Sequence, residues 1–115
     1  MKLHSAAVLA VAGLLAACFN DTGPLGSTER TIHMQTGSFS PNAVTIARGG
    51  KVTWVNDMAI AHDITPNNPT QPGVWTARKV AAQAGVEFTH TFTTAGTYDY
   101  HCTIHSSMNG RIVVR

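Results

Sequence analysis

Between residues 31 and 115 the chain alternates short stretches rich in β-branched and aromatic residues with clusters of Gly, Pro, Asn, Asp and Ser, the pattern of successive strands and turns. It predicts strands over 31–36, 43–47, 51–56, 63–65, 86–93, 97–102 and 111–115. Side chains two apart share a face of a strand. Val52 and Trp54 therefore point together, as do Tyr98, Tyr100 and Cys102, while Asp99 and His101 point the other way. Val86, Phe88, His90 and Phe92 make another apolar face, opposite the polar Glu87, Thr89, Thr91 and Thr93. After the N-terminal apolar run only residues 76–84 carry a weak helical spacing. Such a pattern predicts an all-β sandwich.

The N-terminus reads differently. A cation at Lys2 precedes an unbroken apolar run over 5–17, which is too short to cross a bilayer of about 30 Å as an ordinary helix and reads as an export signal. Leu15-Ala16-Ala17-Cys18 resembles the bacterial lipobox, in which the cysteine is lipidated and becomes the first residue after cleavage. The expected organisation is a lipoprotein signal peptide over 1–17, a lipidated N-terminus and flexible tether over 18–30, and one domain over 31–115. It implies a protein anchored through Cys18 on the periplasmic or extracellular face of a membrane.

Composition narrows the chemistry. The 115 residues are 43% apolar and 12% charged with a formal charge of +2, and no basic run or cationic stripe exists to neutralise phosphates, which argues against a nucleic-acid partner. With Cys18 acylated, Cys102 is left as a lone thiol in an oxidising compartment, where structural cysteines ordinarily pair. A metal supplies the missing reason.

Cys102-Thr103-Ile104-His105-Ser106-Ser107-Met108 sets a thiol, an imidazole and a thioether three residues apart. Two histidines and a cysteine with a weak axial methionine make a blue-copper electron-transfer site. The second imidazole is expected from His62, which follows a strand and a short apolar loop and enters the site from the partner sheet. His62, Cys102, His105 and Met108 would hold one Cu(I)/Cu(II) ion. Asn56, just before the His62 loop, is expected to tie the two ligand loops together.

At these residues the chain resembles the cupredoxins, the type 1 copper proteins, most of all the amicyanin branch in its last third, and is also similar to plastocyanins and pseudoazurins. Phe39-Ser40-Pro41, Gly50 to Asn56, Ala61-His62-Asp63-Ile64 and Thr91 to Met108 carry the resemblance in order. It implies an eight-stranded Greek-key sandwich with the same four ligands, and an electron carrier whose second histidine reaches the surface within an apolar patch. Here that patch is Met58, Ala59, Ile60, Ile104 and Met108 around His105, suited to brief encounters of a monomer with redox proteins. Two residues beside the ligands depart from the family. Ile104 stands where proline is usual, and Asp63 where asparagine is common, which brings a negative charge near the metal unless it is turned away or hydrogen-bonded.

The remaining residues have plainer expectations. His33 is a solvent-face residue, His90 a satisfied histidine at the edge of the core, and Trp54 a core residue; Trp75 is either a plug over the sheet end or part of a partner surface. The connection 66–75, rich in proline, has no clear counterpart in the family. His101 beside Cys102 resembles the arrangement that wires a blue copper to a catalytic copper in nitrite reductases and multicopper oxidases. Such an enzyme needs further histidines, and only His33 and His90 remain, so a non-enzymatic role is expected. The alternative to electron transfer is a lipoprotein that stores or delivers copper.

Overall fold

A computed structural model describes residues 27–115. The signal, the lipobox with Cys18 and most of the tether lie outside the described residues. Eight strands and no helix are found among those described: β1 (Ser27–Met34), β2 (Phe39–Ser40), β3 (Ala43–Asn56), β4 (His62–Pro66), β5 (Arg78–Val80), β6 (Glu87–Thr91), β7 (Gly96–His101) and β8 (Asn109–Val114).

β3 organises the fold. Two strands were expected over 43–47 and 51–56, but the chain runs through as one element. Its first half pairs parallel with β8, and its second half pairs parallel with β1 and antiparallel with β6. The bend between the halves sits at Gly49, whose φ of +87° suits glycine, and Gly50, where a Cβ would lie 2.6 Å from the Thr28 carbonyl oxygen. β3 thus belongs to both layers of a sandwich, one of β2-β1-β3-β6 and one of β3-β8-β7-β4-β5.

The alternation seen in the sequence is what fills the space between the layers. Ile32, Met34, Val52, Trp54, Tyr98, Tyr100, Ile112 and Val114 are all buried. Trp54 meets Tyr100 edge-on across the sandwich with ring centroids 5.6 Å apart, and Phe39 meets the same tyrosine at 4.7 Å. Edge-to-face pairs of this kind add about 0.5–1.5 kcal/mol beyond the area they bury. Gly110 on β8 makes room for Tyr100: a Cβ there would stand 2.2 Å from the tyrosine ring.

Two elements differ from expectation for physical reasons. The weak helical spacing over 76–84 yields the short strand β5, because pairing with β4 satisfies the backbone where an isolated helix of that length would be marginal. β1 begins at Ser27, inside the stretch assigned to the tether, since Glu29 and Arg30 add to the sheet through their main chain opposite Lys51 and Val52 and need no apolar side chain. The connection 66–75 is strapped to the body. Trp75 is buried as a plug, its indole N–H donating to the Ile64 carbonyl at 3.0 Å, and the Gln71 amide donates to the Thr97 carbonyl at 2.9 Å.

Candidate metal centre

β4 and β7 bring the ligands together. They pair antiparallel with Thr65 opposite His101 and Pro66 opposite Tyr100. Continuing that register two residues sets Asp63 opposite Thr103, with His62 and Cys102 immediately beside them. His62 therefore enters from the strand next to Cys102 in the same sheet, not from the partner sheet as expected. The 102–108 loop is closed by its own main chain: Met108 N–H donates to the His105 carbonyl at 2.9 Å, and Cys102 N–H donates to the Met108 carbonyl at 3.1 Å.

The result is a triad of donor atoms from His62, Cys102 and His105, all within 4.8 Å of one another. The His62 and His105 rings stand 4.9 Å apart, and His105 Nδ1 is 3.7 Å from Cys102 Sγ. Cys102 is 1% exposed and unpaired, His62 is 1% exposed, and Met108 is fully buried at the end of the same loop. Both ring nitrogens of His62 are buried without a hydrogen-bond partner, where water or protein would ordinarily supply one, which leaves a nitrogen lone pair that a metal ion would take. Burial, assisted by the neighbouring His105, holds the His62 pKa below its ordinary value, so the ring is neutral and its lone pair is free for a metal. One soft thiolate, two imidazoles and a buried thioether form a donor set that copper fits.

The surroundings of the triad correct one expectation and resolve another. Asn56 does not join the two ligand loops. Its side-chain amide donates to the Ile60 and Ala81 carbonyls at 2.9 Å each, and its oxygen accepts from Met58 N–H at 3.0 Å, so it shapes the apolar loop ahead of His62 and anchors it to the segment after β5. The joining residue is Asp63. Its Oδ1 accepts from Thr103 N–H at 2.9 Å and from the Thr65 hydroxyl at 2.7 Å, its Oδ2 accepts from the Thr103 hydroxyl, and its own N–H points at Cys102 Sγ from 3.4 Å. Burial alone would push this carboxyl up, but the Thr103 and Thr65 donors outweigh it and hold the pKa below the ordinary value. Thr103 was not singled out in the sequence; the signal that could have found it is an acceptor-only residue beside one ligand and a hydroxyl beside the other.

The rim is apolar and only partly as expected. Ile104 is 53% exposed and Met58 and Ile60 are half-buried, whereas Met108 faces inward and adds nothing to the surface. The other histidines of the described residues are not among the converging donors, although His101 lies near enough to Asp63 to act on its charge. His33 Nδ1 lies 2.9 Å from an Asp57 carboxylate oxygen, His90 Nε2 lies 2.9 Å from the Gly73 carbonyl, and His101, on the outer face of β7, bonds Asn67 at 2.5 Å.

Comparison with known proteins agrees with this reading of the fold. The chain is 33% identical to amicyanin-alpha from Methylorubrum extorquens over 115 residues, covering 99% of this chain and 92% of that one. The structure superposes on an oxidized amicyanin variant with a TM-score of 0.64 at 28% identity, covering 76% of this chain and 82% of that one. It also matches a Cu-containing nitrite reductase from Thermus scotoductus with a TM-score of 0.66 at 29% identity, covering 82% of this chain but 23% of the enzyme. The family model for copper binding proteins of the plastocyanin/azurin family matches residues 27–115, and this chain belongs to that family, the cupredoxins.

Proposed function

We propose that this protein is a carrier of single electrons, in which His62, Cys102 and His105 would hold one copper ion with the Met108 thioether as a weak fourth donor. The observation that carries the reading is the convergence of three donors within 4.8 Å, one of them a buried histidine with both nitrogens unpartnered. Copper supplies the one-electron chemistry when bound. The chain supplies the rest. Cys102 is fixed by the end of β7, His62 by the start of β4, and His105 and Met108 by the closed loop, so the donors move little whichever oxidation state they face, which suits rapid electron transfer. Similarity to amicyanin along almost the full chain supports a carrier role in preference to an enzyme.

His105 is the half-buried member of the triad, set among Ile104, Met58 and Ile60, and is the natural edge for electrons to cross to a redox protein in a small, brief interface. Leu15-Ala16-Ala17-Cys18 supports export and a lipid anchor; Cys18→Ser would then move the protein from the membrane fraction to the soluble one, and unchanged membrane association would refute the anchor.

The central test is spectroscopic. The copper-loaded protein is expected to show an intense thiolate-to-copper absorption in the red part of the visible spectrum, with fast electron self-exchange. A colourless Cu(II) adduct would exclude thiolate ligation, and a coloured protein with slow self-exchange would point instead to copper storage or delivery.

A further inference from the structure

Asp63 is a nearly fully buried carboxylate, 6% exposed, and no lysine or arginine forms an ion pair with it among the described residues. Three groups turn toward it: the Thr103 N–H, the Thr103 hydroxyl and the Thr65 hydroxyl. The main-chain N–H can only donate, and both hydroxyls are free to, so the arrangement suits an ionised acceptor. The carboxylate is also fixed relative to the metal ligands: it follows His62 directly, its N–H is aimed at Cys102 Sγ, and its two oxygens hold Thr103, the residue after Cys102.

We propose that Asp63 is a positioning residue that is also a fixed anion, biasing the copper toward its oxidised state. This rests on the copper-carrier reading above. A copper ion with one thiolate has a net charge of +1 when oxidised and zero when reduced, so a nearby negative charge that cannot move away stabilises the oxidised form selectively. The groups that hydrogen-bond the carboxylate are neutral, so, contrary to the expectation from sequence, they fix its charge without cancelling it. Inside a dry protein such an interaction is much stronger than in water and is little screened by salt. A neutral amide at this position would keep an oxygen to accept from Thr103 N–H while removing the charge. The clasp and the bias are therefore separable.

The test is a redox titration of the copper-loaded full chain, compared with Asp63→Asn and Thr103→Ala. Asp63→Asn is expected to keep the blue absorption and to shift the oxidised-to-reduced ratio at a fixed applied potential about tenfold toward reduced copper, which is about 59 mV upward for one electron. The shift should persist in 1 M salt. Thr103→Ala keeps the charge and cuts one arm of the clasp, and should move the ratio less than about threefold. If Asp63→Asn fails to hold copper, Asp63→Ser, also neutral, must show the same rise. A coloured neutral variant with an unchanged potential, or equal shifts in Asp63→Asn and Thr103→Ala, overturns the proposal while leaving the carrier reading intact. A wild-type protein without the blue absorption would overturn the carrier reading itself.

Discussion

The aromatic body of the sandwich and its metal end are equally dry, yet they gain from dryness in opposite ways. In the body, Trp54 contacts Phe88, Tyr100 and Trp75 with centroids 5.2–5.6 Å apart, and Trp75 continues to Phe92 at 5.9 Å. Burial there removes apolar surface from water and stabilises the fold with no outside help. At the metal end, burial falls on His62 and Asp63, groups that lose hydration. Asp63 recovers it internally from Thr103 and Thr65; His62 has nothing in the chain to replace water. The body is held by its own packing, although the Trp54 indole N–H and the Tyr100 hydroxyl are also buried without a hydrogen-bond partner, whereas the metal end needs an ion to take up a His62 nitrogen.

The contrast is open to test at its strongest point. Trp54→Ala should destabilise the metal-free protein by about 3–5 kcal/mol in urea denaturation, as expected for removing a large aromatic from a packed core. A loss under about 1 kcal/mol would mean that the body is not what holds the apoprotein together.

Copper should supply the next largest effect. With free copper a hundredfold above its Kd, loading should raise stability by about 2.7 kcal/mol, and a chelator should remove the gain. His62→Ala should abolish that increment. Because it deletes two unsatisfied buried nitrogens as well as packing, its cost to the metal-free protein should be well below that of Trp54→Ala. Equal losses in the metal-free proteins would erase the distinction between the two regions.

Met108 sits where the regions meet, buried like a core residue but on the ligand loop. Met108→Gln should keep the copper and lower its reduction potential, because a harder oxygen favours Cu(II); a tenfold change in the oxidised-to-reduced ratio, about 59 mV, is the scale to look for. An unchanged potential with reduced stability would assign Met108 to the body alone.

The body was the more legible region in the sequence, and the reason is physical. Tyr98, Tyr100 and Cys102 share a face because strands have a period of two, and that period sufficed to separate them from Asp99 and His101. The ligand types were equally plain, since few roles other than metal binding join a lone thiol, an imidazole and a thioether at such short spacing. What stayed hidden depends on register and on main-chain partners. Nothing local says that β4 lies beside β7, and so neither the same-sheet entry of His62 nor the Asp63–Thr103 clasp could be read in advance. Asn56 was singled out for its place just before the His62 loop, but the partners of its amide are carbonyls at positions 60 and 81, which carry no side-chain signature. β2, at two residues, and β5, at three, are too short to show a period.

The smallest effect belongs to neither region, and so measures what lies outside the contrast. On the outer face of β7, the Arg111 guanidinium on β8 donates to both carboxylate oxygens of Asp99, at 2.6 and 3.1 Å. Arg111 holds the Asp99 pKa below its ordinary 3.8. A folded-state value below the unfolded one means that the pair stabilises the protein above the unfolded pKa and that this contribution fades as pH falls through the folded pKa. Both side chains are well exposed, at 39% and 58%, so solvent screens most of the attraction. Arg111→Ala should therefore lower the urea midpoint slightly at pH 7, and the gap to wild type should close as the solution is acidified below about 3.8 and shrink in 1 M salt. A gap indifferent to both would show that the arginine stem packs on the sheet as part of the body, and that the pairing of charges contributes nothing of its own.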